Sequence, residues 1–171
     1  MLETGGGLKK AAGFFADGKP FVFMVSDIFT NLDLKAMIDY HINSDNLVTL
    51  AVKKRETSRS LIFSEDNMLT GWEDHNSGKK RIVRQTSFSK QLGFSCIHVI
   101  NPSVFNLMPS AEKFNIVQFY LDICHQHKIG AYEHNQDIWV EFGRLSNLED
   151  KTKLMLARQV EDYVQSGNLH N

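Results

Sequence analysis

The sequence predicts an α/β fold with a mostly parallel β-sheet and one antiparallel excursion, and three observations support that prediction. Residues 21–25 form a continuous apolar run, which is typical of a strand buried on both faces. A helical pattern and a second apolar strand over 47–52 follow, and together they predict a strand–helix–strand crossover unit. Over 60–84, short strand patterns alternate with turn-forming residues, which indicates the antiparallel excursion.

The other elements follow from periodicity and capping signals. Thr30 and Asn31 are the expected N-caps of the second helix, because their side chains can accept hydrogen bonds from its first N–H groups. We expect one domain over 1–171, with the C-terminal helix packed on it. In chain order, the predicted elements are a helix over 8–15, a strand over 21–25, a helix after Asn31, strands over 47–52, 60–63, 68–72, 81–84 and 94–100, a short helix from Asn101–Pro102, a helix over 114–127, strands over 129–132 and 138–142, and a helix over 144–166 opened by the capping box Ser146–Glu149.

The composition excludes several classes of function. Hydrophobic residues make up 42% of the 171 residues, which is enough for a packed core. Nineteen Lys and Arg against 20 Asp and Glu leave no basic field for nucleic acid. Two cysteines are too few for a disulfide framework, and no apolar run approaches the roughly 18 residues of a membrane span. The first residues lack the apolar segment of a signal peptide, so we expect a soluble, cytoplasmic protein.

The first candidate site is the glycine run Gly5–Gly6–Gly7, which leads into the first predicted helix. Glycines let a backbone approach a ligand closely, and the N–H groups of a helix N-terminus attract an anion. A flexible terminus explains the same residues without a ligand. Both explanations stay open at this point.

Two acidic residues are the second candidate site. Asp27 follows the first buried strand, where open parallel sheets bind ligands and where a carboxylate can hold Mg²⁺ beside a phosphate. It could equally be an ordinary turn carboxylate. Glu141 interrupts the apolar strand over 138–142, so it needs a cation or a strong donor if it is buried, or it faces solvent.

Taken together, these motifs resemble the sugar-1-phosphate nucleotidyltransferases, and they look most like the N-acetylmuramate-1-phosphate uridylyltransferases and mannose-1-phosphate guanylyltransferases. The resemblance runs from Leu2 to about Leu156 in the order of that family. Four stretches carry it: LETGGGLKKA, PFVFMVSDIFTNLDLKAMIDYH, FSCIHVINPSVFNLM and IWVEFGRLSNLE.

The resemblance implies a Rossmann-like three-layer nucleotidyltransferase fold and an Mg²⁺-dependent reaction of nucleotide-sugar biosynthesis that supplies cell-envelope precursors. The sugar 1-phosphate would attack the α-phosphorus of a nucleoside triphosphate and displace pyrophosphate, a reaction that depends on positioning and on neutralising negative charge. The roles that the resemblance implies are Asp27 as catalytic residue, Asp27 and Glu141 as metal ligands, Gly5, Gly6 and Gly7 as nucleotide-binding residues, and Glu73, Ser95 and Trp139 as sugar-binding residues.

The chain departs from that family at several points. The family's glycine-rich loop with Arg and a Pro-Lys pair would precede Met1, so the resemblance implies a missing N-terminal part. Glu141 stands for an Asp, Cys96 for a Gly, and Asp74 for a Lys that takes the sugar phosphate. An alternative is therefore a catalytically inactive module of the same fold that acts in binding or assembly.

The apolar strand over 21–25 also predicts an association. Without a neighbour on one edge it would expose apolar surface, and exposed apolar edges associate. We expect a homodimer or pairing with an N-terminal fragment, and we expect no nucleic-acid or membrane partner.

Two further patterns favour ordinary structure. The run Cys124–His127 lacks a second pair at zinc-finger spacing, and adjacent helical residues do not face each other. The basic runs 53–55 and 79–81 are best explained as solvated loops.

Overall fold

The computed structural model of the protein describes residues 2–142 and 160–162. These residues divide into two compact units. The described part of the first unit is 2–24 and 33–135, and that of the second is 25–32, 136–142 and 160–162. The helix predicted over 144–166 and its capping box Ser146–Glu149 lie outside the described residues, except that 160–162 are helical.

The described elements follow the predicted order, with one added strand. They are α1 (Glu3–Lys10), a 3₁₀ helix (Ala12–Phe15), β1 (Phe21–Met24), β2 (Ile28–Thr30), α2 (Leu34–Ser44), β3 (Val48–Lys53), β4 (Arg59–Phe63), β5 (Leu69–Asp74), β6 (Lys79–Ile82), β7 (Lys90–Ile100), a 3₁₀ helix (Pro102–Leu107), α3 (Ile116–Ile123), β8 (Ile129–Glu133) and β9 (Trp139–Glu141). Strands β2 and β9 belong to the second unit, and the other strands form the sheet of the first.

The first unit confirms the predicted α/β fold with an antiparallel excursion, in a sheet that is mixed rather than mostly parallel in its direct pairing. Its order is β6-β5-β4-β7-β3-β8, with β1 also paired to β7. Strands β4, β5 and β6 form the antiparallel excursion. Strands β1, β3 and β8 run in one direction, but β7 lies antiparallel between β1 and β3, and Ile100 pairs with both Phe21 and Val48. Direct pairing in this sheet is therefore antiparallel except between β3 and β8.

Two predictions about the first elements are wrong. Helix α1 begins at Glu3, so Gly5–Gly7 lie within the helix and do not form a turn that leads into it. Strand β1 is half-buried instead of buried on both faces, and Met24 is 41% exposed. Within the described residues β1 pairs with β7 alone, which leaves its other edge without a neighbouring strand there.

The cap of α2 also differs from the prediction. Asp33 is the N-cap, and its Oδ1 accepts a hydrogen bond from the Ala36 N–H at 2.9 Å. Thr30 lies in β2, where its hydroxyl donates to the Ile138 carbonyl at 2.7 Å. Asp33 caps the helix because it directly precedes the first helical residue, whereas Thr30 and Asn31 lie further back in the chain.

A buried hydrogen bond joins the longest strand to a helix in the first unit. His98 on β7 and Tyr120 on α3 are both almost inaccessible to solvent, and His98 Nδ1 lies 3.0 Å from the Tyr120 hydroxyl. Burial lowers the pKa of His98 to about 3 and raises the pKa of Tyr120 above its ordinary value. Both groups are therefore neutral at pH 7, as a buried polar pair requires.

Strand β7 contains an irregularity beside its centre. Leu50 pairs with His98 and Val52 pairs with Phe94, so two steps along β3 correspond to four along β7. Cys96 lies within the extra stretch with a φ of 58°. A bulge redirects the side chains around it and is common near functional sites.

Among the described residues, the longest helices are too short and insufficiently apolar to cross a membrane.

Replacing Cys96 with Gly should stabilise the protein by about 1 kcal/mol, because glycine adopts a positive φ without the steric cost that a Cβ imposes. Urea unfolding followed by circular dichroism measures the change. Cys96→Ala removes the thiol but keeps the Cβ, so it serves as the control and should give no such gain. Equal stability of Cys96→Gly and Cys96→Ala would contradict this explanation.

Candidate functional site

The second unit brings the turn that carries Asp27 next to the strand that carries Glu141. Strand β2 pairs antiparallel with β9, and Ile28 lies directly opposite Glu141. Beyond that pair, the Phe142 N–H donates to the Asp27 carbonyl at 2.8 Å. The backbones that carry Asp27 and Glu141 are thus adjacent, although more than a hundred residues separate them in the sequence.

Side chains hold this short ladder at both ends. At one end, Thr30 donates to the Ile138 carbonyl at 2.7 Å and the Ile138 N–H donates to Asn31 Oδ1 at 2.6 Å. At the other, the rings of Phe29 and Phe142 meet edge to face with centroids 6.4 Å apart. A ladder of three residue pairs is marginal by itself, so these contacts fix its register.

The acidic residues themselves are half-buried. Glu141 shares a sheet face with Ile28, since directly opposed residues point the same way, whereas Asp27 lies in the turn before β2. Within 2–142 and 160–162, no group of three or more His, Cys, Asp or Glu side chains could hold a metal. Two carboxylates fit Mg²⁺, which is commonly held by one or two carboxylates with substrate phosphates. They do not make a closed site that binds metal alone.

The glycine helix packs on another part of the first unit. The Gly5 N–H donates to the Phe114 carbonyl at 3.1 Å. A Cβ at Gly5 would lie 2.3 Å from the Phe114 ring, and one at Gly6 would lie 1.9 Å from the Glu112 carbonyl oxygen. A Cβ at Gly7 would meet nothing within 4 Å. Gly5 and Gly6 are therefore required for close packing, and of the three glycines only Gly7 has space for a side chain.

A cavity of about 440 Å³ lies beside this helix, lined by Leu2, Gly6, Lys9, Lys10, Ser110 and Glu112. The Lys9 ammonium donates to the carbonyls of Pro109 at 2.6 Å and Ser110 at 3.1 Å, which anchors it at the cavity wall. Of the three glycines, Gly6 lines the cavity. The nucleotide-binding role of Gly5, Gly6 and Gly7 stays a prediction.

The three residues predicted to bind sugar lie in different surroundings. Glu73 on β5 pairs with Lys80 at 3.1 Å and accepts from Gln91 at 2.9 Å. Ser95 on β7 is fully buried. Trp139 is half-buried and pairs with Thr30 in the ladder of the second unit. Their roles toward a sugar stay predictions.

Sequence reasoning missed a polar cluster around Ser95. Its hydroxyl lies 2.7 Å from His134 Nε2, and His134 is also buried. Lys53 and Arg55 lie close by and are half-buried, which overturns the interpretation of run 53–55 as a solvated loop. The basic run 53–55 was a visible signal in the sequence. No sequence pattern, however, indicated that His134 lies beside Ser95.

Comparison with solved structures identifies the fold. The inositol-1-phosphate CTP transferase from T. maritima matches with a TM-score of 0.61 at 11% identity, covering 91% of this chain and 62% of that one. A protein from Bacillus anthracis, described as a glucose-1-phosphate thymidylyltransferase and solved with sucrose, matches with a TM-score of 0.60 at 13% identity, covering 80% of this chain and 54% of that one. This chain has the nucleotidyltransferase fold.

Curated relatives point the same way. Glucose-1-phosphate cytidylyltransferases from Salmonella typhi and Salmonella typhimurium are each 24% identical to the chain over 131 residues. The matches cover 77% of this chain and 47% of each relative, so the chain spans about half the length of the curated relatives it matches. No family model matches. The comparisons support the resemblance to sugar-phosphate nucleotidyltransferases, while the uridylyl and guanylyl subclasses stay predictions.

Gly6→Ala should destabilise the protein by at least about 2 kcal/mol, because its Cβ would overlap the Glu112 carbonyl oxygen and α1 would have to move. Gly7→Ala is the matched control in the same helix turn. It should stabilise by up to about 1 kcal/mol through helix propensity, since its Cβ has open space. Thermal unfolding of both variants measures the difference. Equal effects would contradict the packing described for α1.

Proposed function

We propose that this protein transfers a nucleotidyl group from a nucleoside triphosphate to a sugar phosphate and releases pyrophosphate. An oxygen of the sugar phosphate would attack the α-phosphorus, the bond from that phosphorus to the bridging oxygen would break, and pyrophosphate would take the electron pair. The observation that carries the proposal is the β2–β9 ladder, which joins the backbones of Asp27 and Glu141. The nucleotidyltransferase fold and the names of the matched relatives support it.

In this proposal Asp27 and Glu141 hold Mg²⁺, which when bound neutralises charge on the phosphates. The backbone bond between Phe142 and the Asp27 carbonyl fixes the turn that carries Asp27. The ladder contacts hold Glu141 at a set register opposite Ile28. Positioning of this kind supplies much of the catalysis in phosphoryl-type transfer, because the reaction requires alignment and charge compensation.

The substrates are also proposals. The curated relatives are glucose-1-phosphate cytidylyltransferases, whereas the Glu3–Gly7 run resembles enzymes that transfer uridylyl groups to amino sugars. Association of two copies through β1, or pairing with an N-terminal fragment, is part of the same proposal, and so is a cytoplasmic location.

A second candidate is a catalytically inactive module of the same fold, and Asp74 favours it. Asp74 stands where many similar proteins have a Lys for the sugar phosphate. Its carboxylate accepts from the Asn76 and Ser77 N–H groups at 3.0 Å each and pairs with Arg59 at 3.1 Å, and these bonds lower its pKa. The Asp74 carboxylate therefore stabilises the turn that follows β5.

Asp27→Asn and Glu141→Gln should each lower the transfer rate roughly 100-fold or more, because each removes one of the two carboxylate charges that are proposed to bind Mg²⁺. Pyrophosphate release from CTP, UTP, GTP or dTTP with glucose 1-phosphate and Mg²⁺ measures it. Asp39→Asn, an exposed carboxylate on α2 paired with Lys35, is the control and should retain full activity.

Unchanged rates in Asp27→Asn and Glu141→Gln would reject the metal assignment. Sugar-phosphate binding without turnover on any of the four triphosphates would instead favour the inactive module.

A further inference from the structure

Strand β6 forms an open edge of the sheet in the first unit. It is the first strand in the order β6-β5-β4-β7-β3-β8, and among the described strands it pairs with β5 alone. The basic run 79–81, expected to be a solvated loop, therefore forms most of a strand. An edge strand presents backbone N–H and C=O groups with which a further strand can pair.

The pairing pattern determines which backbone groups of β6 face this edge. The Val83 N–H donates to the Thr70 carbonyl at 2.8 Å. The next pair along the ladder joins Ile82 to Gly71. Hydrogen-bonded and non-hydrogen-bonded pairs alternate along an antiparallel ladder, so Ile82 belongs to a non-hydrogen-bonded pair, and so does Lys80 two residues earlier. The N–H and C=O groups of Lys80 and Ile82 therefore point away from β5 and toward the open edge.

Neighbouring elements fix β6 in place. In the turn that joins it to β5, the Asp74 carboxylate accepts hydrogen bonds from the Asn76 and Ser77 N–H groups at 3.0 Å each. Farther along the strand, Arg81 Nη2 donates to Asp122 Oδ1 of α3 at 2.7 Å. A strand held at its turn and against a helix is pre-organised, which lowers the cost of ordering it when a partner binds.

Exposed cations lie at both ends of this edge. Lys80 and Arg81 are compensated by carboxylates of β5 and α3 at 3.1 and 2.7 Å. Lys79 at the start of β6 and Arg84 beyond its end are exposed, and neither forms an ion pair in the part of the chain that the structure describes. The Arg84 guanidinium donates to the Cys124 carbonyl at 3.4 Å, which orients it but does not neutralise it.

Between these cations the edge is partly apolar. Ile82 is 41% exposed, and its Cδ1 lies 2.9 Å from the position that a Cβ of Gly71 would take. The side chain thus packs over β5 and leaves its remaining surface to solvent. An added strand can cover that surface with an apolar residue, because directly paired residues share one face of a sheet.

A second copy of this chain is a poor partner for this edge. Antiparallel pairing of β6 with itself would set Lys79, Lys80 and Arg81 against the same residues of another copy, and like charges directly opposite each other destabilise a sheet. Lysines on an edge strand commonly prevent such self-association. A segment of opposite charge meets no such repulsion, so the edge discriminates against its own copies and favours an acidic strand.

We propose that β6 binds an extended acidic segment of a partner protein, which joins the sheet as a further strand. The backbone of the segment pairs with Lys80 and Ile82, and an apolar side chain of the segment covers Ile82. Carboxylates near the two ends of the segment pair with Lys79 and Arg84. In this mode of recognition the main-chain hydrogen bonds supply affinity and the side chains supply specificity. The surface lies within the first unit and does not involve the acidic residues proposed for nucleotidyl transfer.

Fluorescence anisotropy of a labelled peptide with the full chain tests the proposal. The probe is an alternating Glu–Val peptide of about eight residues, a common strand length. An alternating Lys–Val peptide of the same length should bind at least about 10-fold more weakly, because its charges match those of β6. Failure of the acidic peptide to bind, or equal affinity for the two peptides, would overturn the proposal.

A proline at the edge separates main-chain pairing from charge attraction. Ile82→Pro removes an N–H that points away from β5, so the β5–β6 ladder should survive, as circular dichroism can check, while peptide binding weakens about 10-fold or more. Ile82→Val keeps the N–H and is the matched control, with an affinity within about 2-fold of the wild type. Wild-type affinity in a folded Ile82→Pro variant would reject strand addition.

Charge reversals at the two ends test the side-chain contacts. Lys79→Glu and Arg84→Glu should each weaken binding of the acidic peptide about 5-fold, since each replaces an attraction by a repulsion. Lys19→Glu makes the same change of charge at an exposed lysine before β1 and should alter the affinity less than about 2-fold. Equal losses in all three variants would mean that net charge alone attracts the peptide, which would overturn the assignment to β6.

Amide hydrogen exchange gives a readout that needs no variant. The N–H groups of Lys80 and Ile82 should exchange faster in the free chain than that of Arg81, which points toward β5. Saturation with the acidic peptide should slow exchange at Lys80 and Ile82 about 10-fold or more and change Arg81 little. A single-stranded DNA oligonucleotide carries negative charge without a strand backbone. Unchanged exchange at Lys80 and Ile82 with the peptide, or equal protection by the oligonucleotide, would overturn the proposal.

Discussion

The antiparallel pairing of β2 with β9 is the contact on which the proposed chemistry depends. It joins the turn that carries Asp27 to the strand that carries Glu141, and it does so with only three residue pairs. Such a short ladder is marginally stable by itself, and the hydrogen bonds of Thr30 and Asn31 to Ile138 stabilise it further. The ladder places the backbones of both acidic residues side by side, which is the arrangement that the proposed divalent ion requires.

The first unit contains a buried polar contact between β7 and the residue that follows β8. Ser95 lies in the irregular stretch of β7, and its hydroxyl lies 2.7 Å from His134 Nε2. Arg55 and Lys53 donate to the carbonyls of the neighbouring residues Phe94 and Asn135. Cys96 adopts a positive φ in the same stretch, which is a local backbone strain.

Much of this architecture could be predicted from the sequence, because local patterns determine it. Apolar runs located β1, β3 and β7, and turn residues separated the strands of the excursion. Strand β2 was missed because its three residues are too short to show a period. The insertion of β7 between β1 and β3 could not be predicted either, since strand order depends on long-range pairing that leaves no local signal.

In the candidate site, too, features that depend on local sequence could be predicted and features that depend on long-range contacts could not. Asp27 and Glu141 are candidates because of their positions after and within apolar strands, and their roles stay predictions. The glycines were recognised, but their enclosure by Phe114 and Glu112 was not, because that contact joins segments about a hundred residues apart. The run 53–55 looked like a solvated loop for the same reason, since only the folded chain places it beside His134.

Mn²⁺ binding in the presence of a nucleoside triphosphate, followed by electron paramagnetic resonance, tests the shared-ion claim most directly. Asp27→Asn and Glu141→Gln should each weaken Mn²⁺ binding by about 10-fold or more, and the double variant should lose little beyond either one, because both carboxylates serve one ion. Wild-type affinity in both single variants, or fully additive losses in the double variant, would contradict a shared ion at these two residues.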